Sequence, residues 1–440
     1  MRGIFTVALL ATAALVCHAD FDPTNVYIVG KTNKSALSYK PGEEMVYTFK
    51  AELGNQKADG LFLRWDRKGD DGQKASGKVP ANQEAVVKTK LDKPGFVSVN
   101  VYLVDQKGKI VQQEFKDWAK RTRKRNIAYF AGTAVEPETL TDCGEPKDFD
   151  AFWAKQKKRL AAVPFKDKVE LKKVKTVNGA DIYAVSIPCA GPRPVTGYLN
   201  VPVNAKAKSL PARISFHGYG TGIHRAPGWG NPKALTLDIN AHGQELGKDD
   251  AYYKKFFESI KSNGKSYAFD PKQNANPETA FFNGMALRVM RAMEYLKSRP
   301  EWNGKDLIAV GGSQGGLQTM WAAALDSDVT LAQPSITWCC DLAGTQKKQR
   351  LSGGWRIQYV PALDYYDPVF MAKRIKNAQV EITRAGLGDY TCPPSGLAIS
   401  YKNIASPKKS IRWVQGSDHG FVPKQSEVIV WSTMKKPNQK

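Results

Sequence analysis

Cysteine and histidine are scarce in this chain, and their scarcity removes whole classes of chemistry. Of 440 residues, six are cysteine and five are histidine: His18, His217, His224, His242 and His419. No Cys-x-x-Cys pair occurs and no histidines cluster at metal-ligand spacing, so a catalytic zinc or iron is not expected. Cys17 falls in the N-terminal segment. The other five, Cys143, Cys189, Cys339, Cys340 and Cys392, are an odd number spread over a long chain, which is not a disulfide framework. An oxidising compartment leaves room for one or two bridges. Cys392 sits in a Cys-Pro-Pro turn with no histidine near it in sequence, and reads as structural rather than nucleophilic. Long apolar runs are missing too. None approaches the ~20 residues of a membrane span.

Acidic residues are also in short supply. Against 65 Lys and Arg stand 42 Asp and Glu, a formal net charge of +23. Such an excess attracts nucleic acid, anionic glycans or an acidic surface. No nucleic-acid-binding motif is present, which leaves an anionic glycan or surface as the candidate partner. The densest basic block, Lys120-Arg121-Thr122-Arg123-Lys124-Arg125, reads as a solvated connection between domains.

Residues 1–19 read as a cleavable signal peptide. Arg2 precedes a short apolar core from Ile4 to Val16, and Cys17-His18-Ala19 fits a small-x-small cleavage site. The mature chain is therefore expected to be secreted or periplasmic. Residues 20–125 carry short strand-like runs, 25–29, 44–49, 61–65, 85–87 and 96–103, separated by turn signals such as Pro41-Gly42 and Lys93-Pro94-Gly95. That spacing predicts a small all-β, immunoglobulin-like sandwich. Trp65 and Tyr102 are candidates for sugar stacking in it, weighed against plain core packing.

From 126 to 440 the pattern changes to α/β. Phe149, Phe152, Trp153 and Leu160 lie at helical spacing, and Asn178-Gly179 marks a hairpin. An amphipathic helix over 279–297, a strand at Leu307–Val310 and a helix after residue 313 alternate as in a mostly parallel sheet with helices on both faces. Segment 221–275 has few regular signals; within it Trp229 is a candidate sugar platform.

Gly311-Gly312-Ser313-Gln314-Gly315 stands where that strand turns into a helix, the placement of an α/β-hydrolase nucleophile elbow. On that fold the acid and then the histidine follow the serine in chain order. His419 is the only histidine late enough. Val380–Ala385 reads as a strand and ends at Gly386-Leu387-Gly388-Asp389, so Asp389 falls at a strand's C-terminal end, the edge where open sheets bind ligands. Asp418, beside His419, is an alternative acid. Ser313 would be the nucleophile, His419 its base and Asp389 the acid that orients the base. The backbone N–H of Gln314 is one oxyanion donor. The second is expected from the His217-Gly218-Tyr219 turn after the strand at 212–216. His217 either polarises substrate or fixes that turn.

Several of these stretches together resemble the acetyl xylan esterase / cephalosporin-C deacetylase family. They are Gly311-Gly312-Ser313-Gln314-Gly315-Gly316, the acid loop Gly386-Leu387-Gly388-Asp389-Tyr390-Thr391-Cys392-Pro393-Pro394-Ser395, and His217-Gly218-Tyr219. The resemblance covers about residues 130–435. It implies Ser313, Asp389 and His419 as a triad, and the amides of Tyr219 and Gln314 as oxyanion donors. It implies hydrolysis of acetyl esters on saccharides without a cofactor, and ring-like homo-oligomers. Two positions differ from the family pattern: Gly420 follows His419 where the family has Glu, and Ala241-His242-Gly243-Gln244 replaces an Arg-Gly-Gln-like segment. The other readings are an esterase for different small acyl esters, a peptidase, or a non-catalytic glycan-binding envelope protein.

Overall fold

A computed structural model describes residues 21–117, 120–220, 222–223 and 225–434. The signal peptide expected at 1–19 lies outside the described residues.

The N-terminal unit is built from nine strands: β1 (Tyr27–Thr32), β2 (Met45–Glu52), β3 (Phe62–Gly69), β4 (Lys74–Pro80), β5 (Ala85–Thr89), β6 (Gly95–Val104), β7 (Gln112–Lys116), β8 (Thr122–Asn126) and β9 (Ala128–Val135). They form a three-stranded sheet in the order β1-β2-β5, a four-stranded sheet β4-β3-β6-β9, and the hairpin β7-β8. Met45, Tyr47 and Phe49 alternate inward on β2 and meet Leu63, Val97, Val99 and Val101 from the other sheet.

Two expectations change here. The basic block at 120–125 is not a loose connection, since residues 122–126 pair with β7. The boundary expected between 125 and 126 also moves. β9 pairs with β6 along its whole length, from Gly95↔Val135 to Tyr102↔Ala128. Its sequence lacks alternation because nearly every residue is buried, with the N-terminal core on one face and loops of the C-terminal unit on the other.

The second unit centres on a ten-stranded sheet. Its strands are β10 (Glu170–Val177), β11 (Ala180–Ile187), β12 (Val195–Pro202), β13 (Leu210–Phe216), β14 (Leu235–Ile239), β15 (Trp302–Gly312), β16 (Leu331–Ser335), β17 (Gln379–Gly386), β18 (Lys409–Val414) and β19 (Val428–Ser432). The spatial order is β10-β11-β12-β14-β13-β15-β16-β17-β18-β19. The six strands from β14 to β18 in that order run parallel, and the outer ones are antiparallel. β14 falls in the segment whose sequence gave few regular signals.

The helices are α1 (Phe149–Ala161), α2 (Asp250–Ser259), α3 (Phe281–Ser298), α4 (Gln314–Leu325), the one-turn α5 (Gly344–Lys347) and α6 (Pro368–Met371), and α7 (Pro394–Asn403). Here the expectation of helices on both faces is corrected. α1 touches α3, α3 touches α4, α4 touches α6 and α6 touches α7, so these five make one layer. That layer covers the apolar face of the sheet: Ala212, Ile214, Leu307, Ala309, Ala332, Val380, Ile382, Ile411 and Trp413. The alternate residues make a polar, partly open face with Arg213, Thr383 and Arg412 exposed. Gln333 donates to Glu381 there at 2.8 Å.

Candidate active site

The turn at Ser313 is set by what its neighbours lack. A Cβ on Gly311 would lie 2.5 Å from the Gly315 carbonyl oxygen, and one on Gly315 would run into the Phe216 carbonyl. Only glycine lets β15, α4 and β13 come so close. Ser313 itself holds φ 58°, ψ −119°, a sparsely populated conformation that costs about 1–3 kcal/mol. Its N–H donates to Ser335 O at 2.9 Å, and its carbonyl accepts from Leu317 and Trp338. The strained turn is thus tied to β16 and α4 together.

The side chain of Ser313 faces His419. Its hydroxyl lies 3.1 Å from Nε2, and Nδ1 of the same ring lies 2.9 Å from Asp389 Oδ2. Asp389 is fully buried, while the His419 side chain is 31% exposed. The other carboxylate oxygen of Asp389 accepts the N–H groups of Thr391 and Cys392 at 3.0 and 3.1 Å. With Asp389 ionised, Nδ1 is the donor and Nε2 the acceptor, the tautomer that takes a proton from a serine hydroxyl. Asp418 is placed otherwise: its Oδ1 accepts from the amides of Gly420 and Phe421, closing the turn after His419. Burial pushes its carboxyl up. The three groups expected together are therefore brought together, and the alternative acid serves the turn.

The acid and histidine loops rest on the N-terminal unit. Gln415 Oε1 accepts from Gly132 N–H at 2.8 Å and its Nε2 donates to Gly132 O at 2.7 Å. Phe130 N–H donates to Gly416 O at 3.2 Å. A Cβ on Gly132 would strike the Leu387 carbonyl, and one on Gly388 would strike Phe130. β9 thus lies directly against Gly386–Asp389 and 415–417. Arg384 adds a further hold, donating to His419 O at 2.8 Å. Nothing in the sequence pattern singles out Gln415 or Arg384.

Against the elbow glycines stands the turn at His217–Gly220. The N–H groups of Gln314 and Tyr219 meet no acceptor among the described residues, as free oxyanion donors must. The loops around them are braced. Tyr267, buried, receives the Gly220 N–H on its hydroxyl at 3.0 Å and donates that hydroxyl to Gln314 Oε1 at 2.6 Å. Its ring stacks on Tyr219 at 4.2 Å. His242 Nε2 lies 2.7 Å from Gly220 O and acts as the donor. Burial, then the neighbouring His217, holds the His242 ring well below the usual imidazole range, so it is neutral. His217 accepts from Ala241 N–H on Nε2 at 3.0 Å, and its Nδ1 lies 2.6 Å from Gly218 O. Its ring nitrogens thus serve the turn.

Trp229 is not part of this site. It is 57% exposed, and next to it Gly230 packs on Val177 while Asn231 is held by Asn200. Asn200 pairs with Thr236 at the start of β14, the sheet edge opposite Ser313. The aromatic wall at the site is another set. Tyr219 contacts Trp338 and Trp355 at 5.4 and 5.1 Å, and Phe269 closes against both tryptophans. Trp355 is 49% exposed, so its indole is open to a ligand. Its segment, 349–356, is irregular in sequence and offered no periodic signal.

Among the described residues, one group of three possible metal ligands occurs, Asp389, Cys392 and His419, with ligand atoms within 4.8 Å of one another. Burial pushes the Cys392 thiol up, which disfavours the thiolate a metal requires.

Residues 140–349 match the acetyl xylan esterase (AXE1) family model. That stretch contains Tyr219, Ser313 and Gln314 and ends before Asp389 and His419. A curated relative, acetyl esterase Axe7A of Xylanibacter ruminicola, is 28% identical over 280 residues. The match covers 60% of this chain and 62% of that relative, so less than two thirds of the relative's length is spanned. An acetyl xylan esterase structure from Paenibacillus sp. R4 superposes with a TM-score of 0.55 at 25% identity, covering 66% of this chain and 94% of the other. Acetyl xylan esterase 1 from Thermoanaerobacterium sp. JW/SL YS485 gives 0.54 at 22% identity, with the same coverages. The family resemblance read from the sequence is borne out, and with it the α/β-hydrolase fold.

Proposed function

We propose that this chain is a secreted serine esterase of the acetyl xylan esterase family that removes acetyl groups from saccharide hydroxyls. Ser313 Oγ attacks the acetyl carbonyl carbon while His419 Nε2 takes its proton. The oxyanion forms against the N–H groups of Tyr219 and Gln314, each worth about 3 kcal/mol at the transition state. Collapse breaks the ester bond; the departing sugar oxygen takes the proton from His419 and leaves acetyl-Ser313. Water, deprotonated by His419, then releases acetate and restores the serine. Asp389 holds the imidazole in the required tautomer and stabilises its charged form.

The observation that carries this reading is the continuous relay Ser313–His419–Asp389, with the acid buried and its second oxygen anchored by two amides. The sugar lies against Trp355 at the mouth. Residues 1–19 direct export, and the N-terminal sandwich is read as immunoglobulin-like and ends near 135. No helix among the described residues is long and apolar enough to cross a membrane.

The test is acetate release from acetylated xylan by wild type and Ser313→Ala in parallel. Wild type releases acetate, and Ser313→Ala loses kcat by on the order of 10⁶-fold. Acetate release that persists in the variant sinks Ser313 as nucleophile. Nitrophenyl esters of rising chain length distinguish an acetyl pocket from a broader esterase, at about 1–3 kcal/mol for each methylene that does not fit.

A further inference from the structure

A groove of about 640 Å³ opens in the N-terminal unit, away from Ser313, between the free edges of its two sheets. Edge strands β4 and β5 form its sides, and Trp65 and Arg67 of β3 line it from within. The floor is fixed. Arg67 is almost fully buried and grips Asp71 with both terminal nitrogens, at 2.7 and 2.6 Å, and it also reaches Thr89 Oγ1, Gln73 O and Lys90 O. Trp65 lies across its cross-strand partner Gly77, where a Cβ would come within 2.5 Å of the ring. The glycine lets the half-buried indole lie down on the sheet beside the groove.

The rim is cationic. Lys74, Lys88, Lys90 and Lys93 are all exposed along it. Arg67 and Asp71 neutralise each other, Lys90 approaches Asp92 at 3.2 Å, and Lys88 approaches Glu44 at 3.7 Å. Lys74 and Lys93 have no carboxylate within 4 Å among the described residues. A flat aromatic face suits the C–H face of a sugar ring, and unpaired ammonium groups beside it suit carboxylates.

We propose that this groove is a binding site for an acidic saccharide, a chain bearing uronate carboxylates. One sugar ring rests on Trp65 and the carboxylates pair with Lys74 and Lys93. The site is separate from the ester-cleaving one and does not depend on the role given to Ser313. Lysines on edge strands also deter strand-to-strand association; that role alone would give no dependence on saccharide charge.

The test uses the full chain and deacetylated glucuronoxylan, which offers Ser313 no ester, beside the same polymer with its carboxyls reduced to alcohols. Affinity is read by retardation in polymer-containing native gels. The acidic polymer is expected to retard the protein more than the reduced one. The difference should shrink as salt rises from about 0.1 M to about 1 M, where the screening length falls from about 10 Å to about 3 Å. Lys74→Glu/Lys93→Glu is expected to weaken binding about tenfold, as is Trp65→Ala, with turnover of p-nitrophenyl acetate unchanged. If Trp65→Ala unfolds the sandwich, the double charge reversal at exposed positions carries the test alone. Equal retardation by both polymers, no retardation by either, or binding unmoved by the charge reversal overturns the proposal.

Discussion

The Tyr267 side chain joins both proposed oxyanion loops. Its hydroxyl takes the Gly220 N–H and gives its proton to Gln314. Tyr267→Phe keeps the ring stacked on Tyr219 but frees both partners. We expect kcat to fall about tenfold, a fraction of the 10²–10³ lost with an oxyanion donor itself, with KM little changed. A KM effect with kcat intact would assign Tyr267 to the substrate wall instead. His242 supports the same turn and gives a pH signature. Its folded pKa lies well below the ordinary 6.5 because it is buried. Below about pH 6.5 the unfolded chain gains a proton that the folded chain refuses, so stability is full above that pH and falls as pH drops towards the folded pKa. The slope from this one group approaches about 1.4 kcal/mol per pH unit. Urea titrations of wild type and His242→Gln at pH 7.5 and about pH 5 should show this extra acid loss in wild type only. Tyr267 did not stand out in sequence, because a tyrosine in an aperiodic segment announces nothing about where its hydroxyl ends; His242 stood out only within a segment that differs from the family pattern.

At the scale of elements, the site depends on two close approaches of backbone, the elbow crossing and the contact of β9 with the acid loop. The elbow was legible: β15, the turn and α4 follow each other in sequence, and the glycines that permit the crossing stand beside Ser313. The contact of β9 with the acid loop was not. Gly132 meets Leu387 and Gln415 from more than 250 positions away, and β9 shows no alternation to mark it as a strand. Gln415→Ala removes three side-chain hydrogen bonds at a buried position, one of them from Gly416 N–H, and deprives Gly132 N–H and O of the partners they have there. The expected loss is about 2–4 kcal/mol in denaturant unfolding, with a fall in kcat as Asp389 and His419 lose their backing. Unchanged stability would show that β9 merely touches these loops. The helices on both sheet faces, expected from α/β alternation, were found as one layer. Alternation implies a parallel sheet, whereas the side taken by each crossover depends on strand order, and β14 inserts between β12 and β13 from a segment without strand periodicity.

For the whole molecule, the two units share a core. Ala36, Leu37, Phe96 and Ala134 of the N-terminal unit lie in the same buried cluster as the hydrolase residues, with Phe96 6.1 Å from Trp413. Asp70 also accepts the Leu351 N–H at 2.7 Å, fixing the segment that carries Trp355. A chain starting at residue 136 should therefore fail to give soluble, cooperatively melting protein. A stable, active truncation, judged by thermal melting and p-nitrophenyl acetate turnover, would refute this union. Sequence alone pointed to the fold class of the larger unit, to the elbow, and to Ser313, Asp389 and His419 as the proposed triad, because strand-turn-helix chemistry is local and the order of the three is a property of the chain. Only tertiary structure decided which aromatic lies beside Ser313, what braces the proposed oxyanion turn, where the N-terminal sheet ends, and that its basic groove is lined by residues other than those around Ser313. Those are contacts between residues far apart in sequence, and they form only when the two cores close on each other.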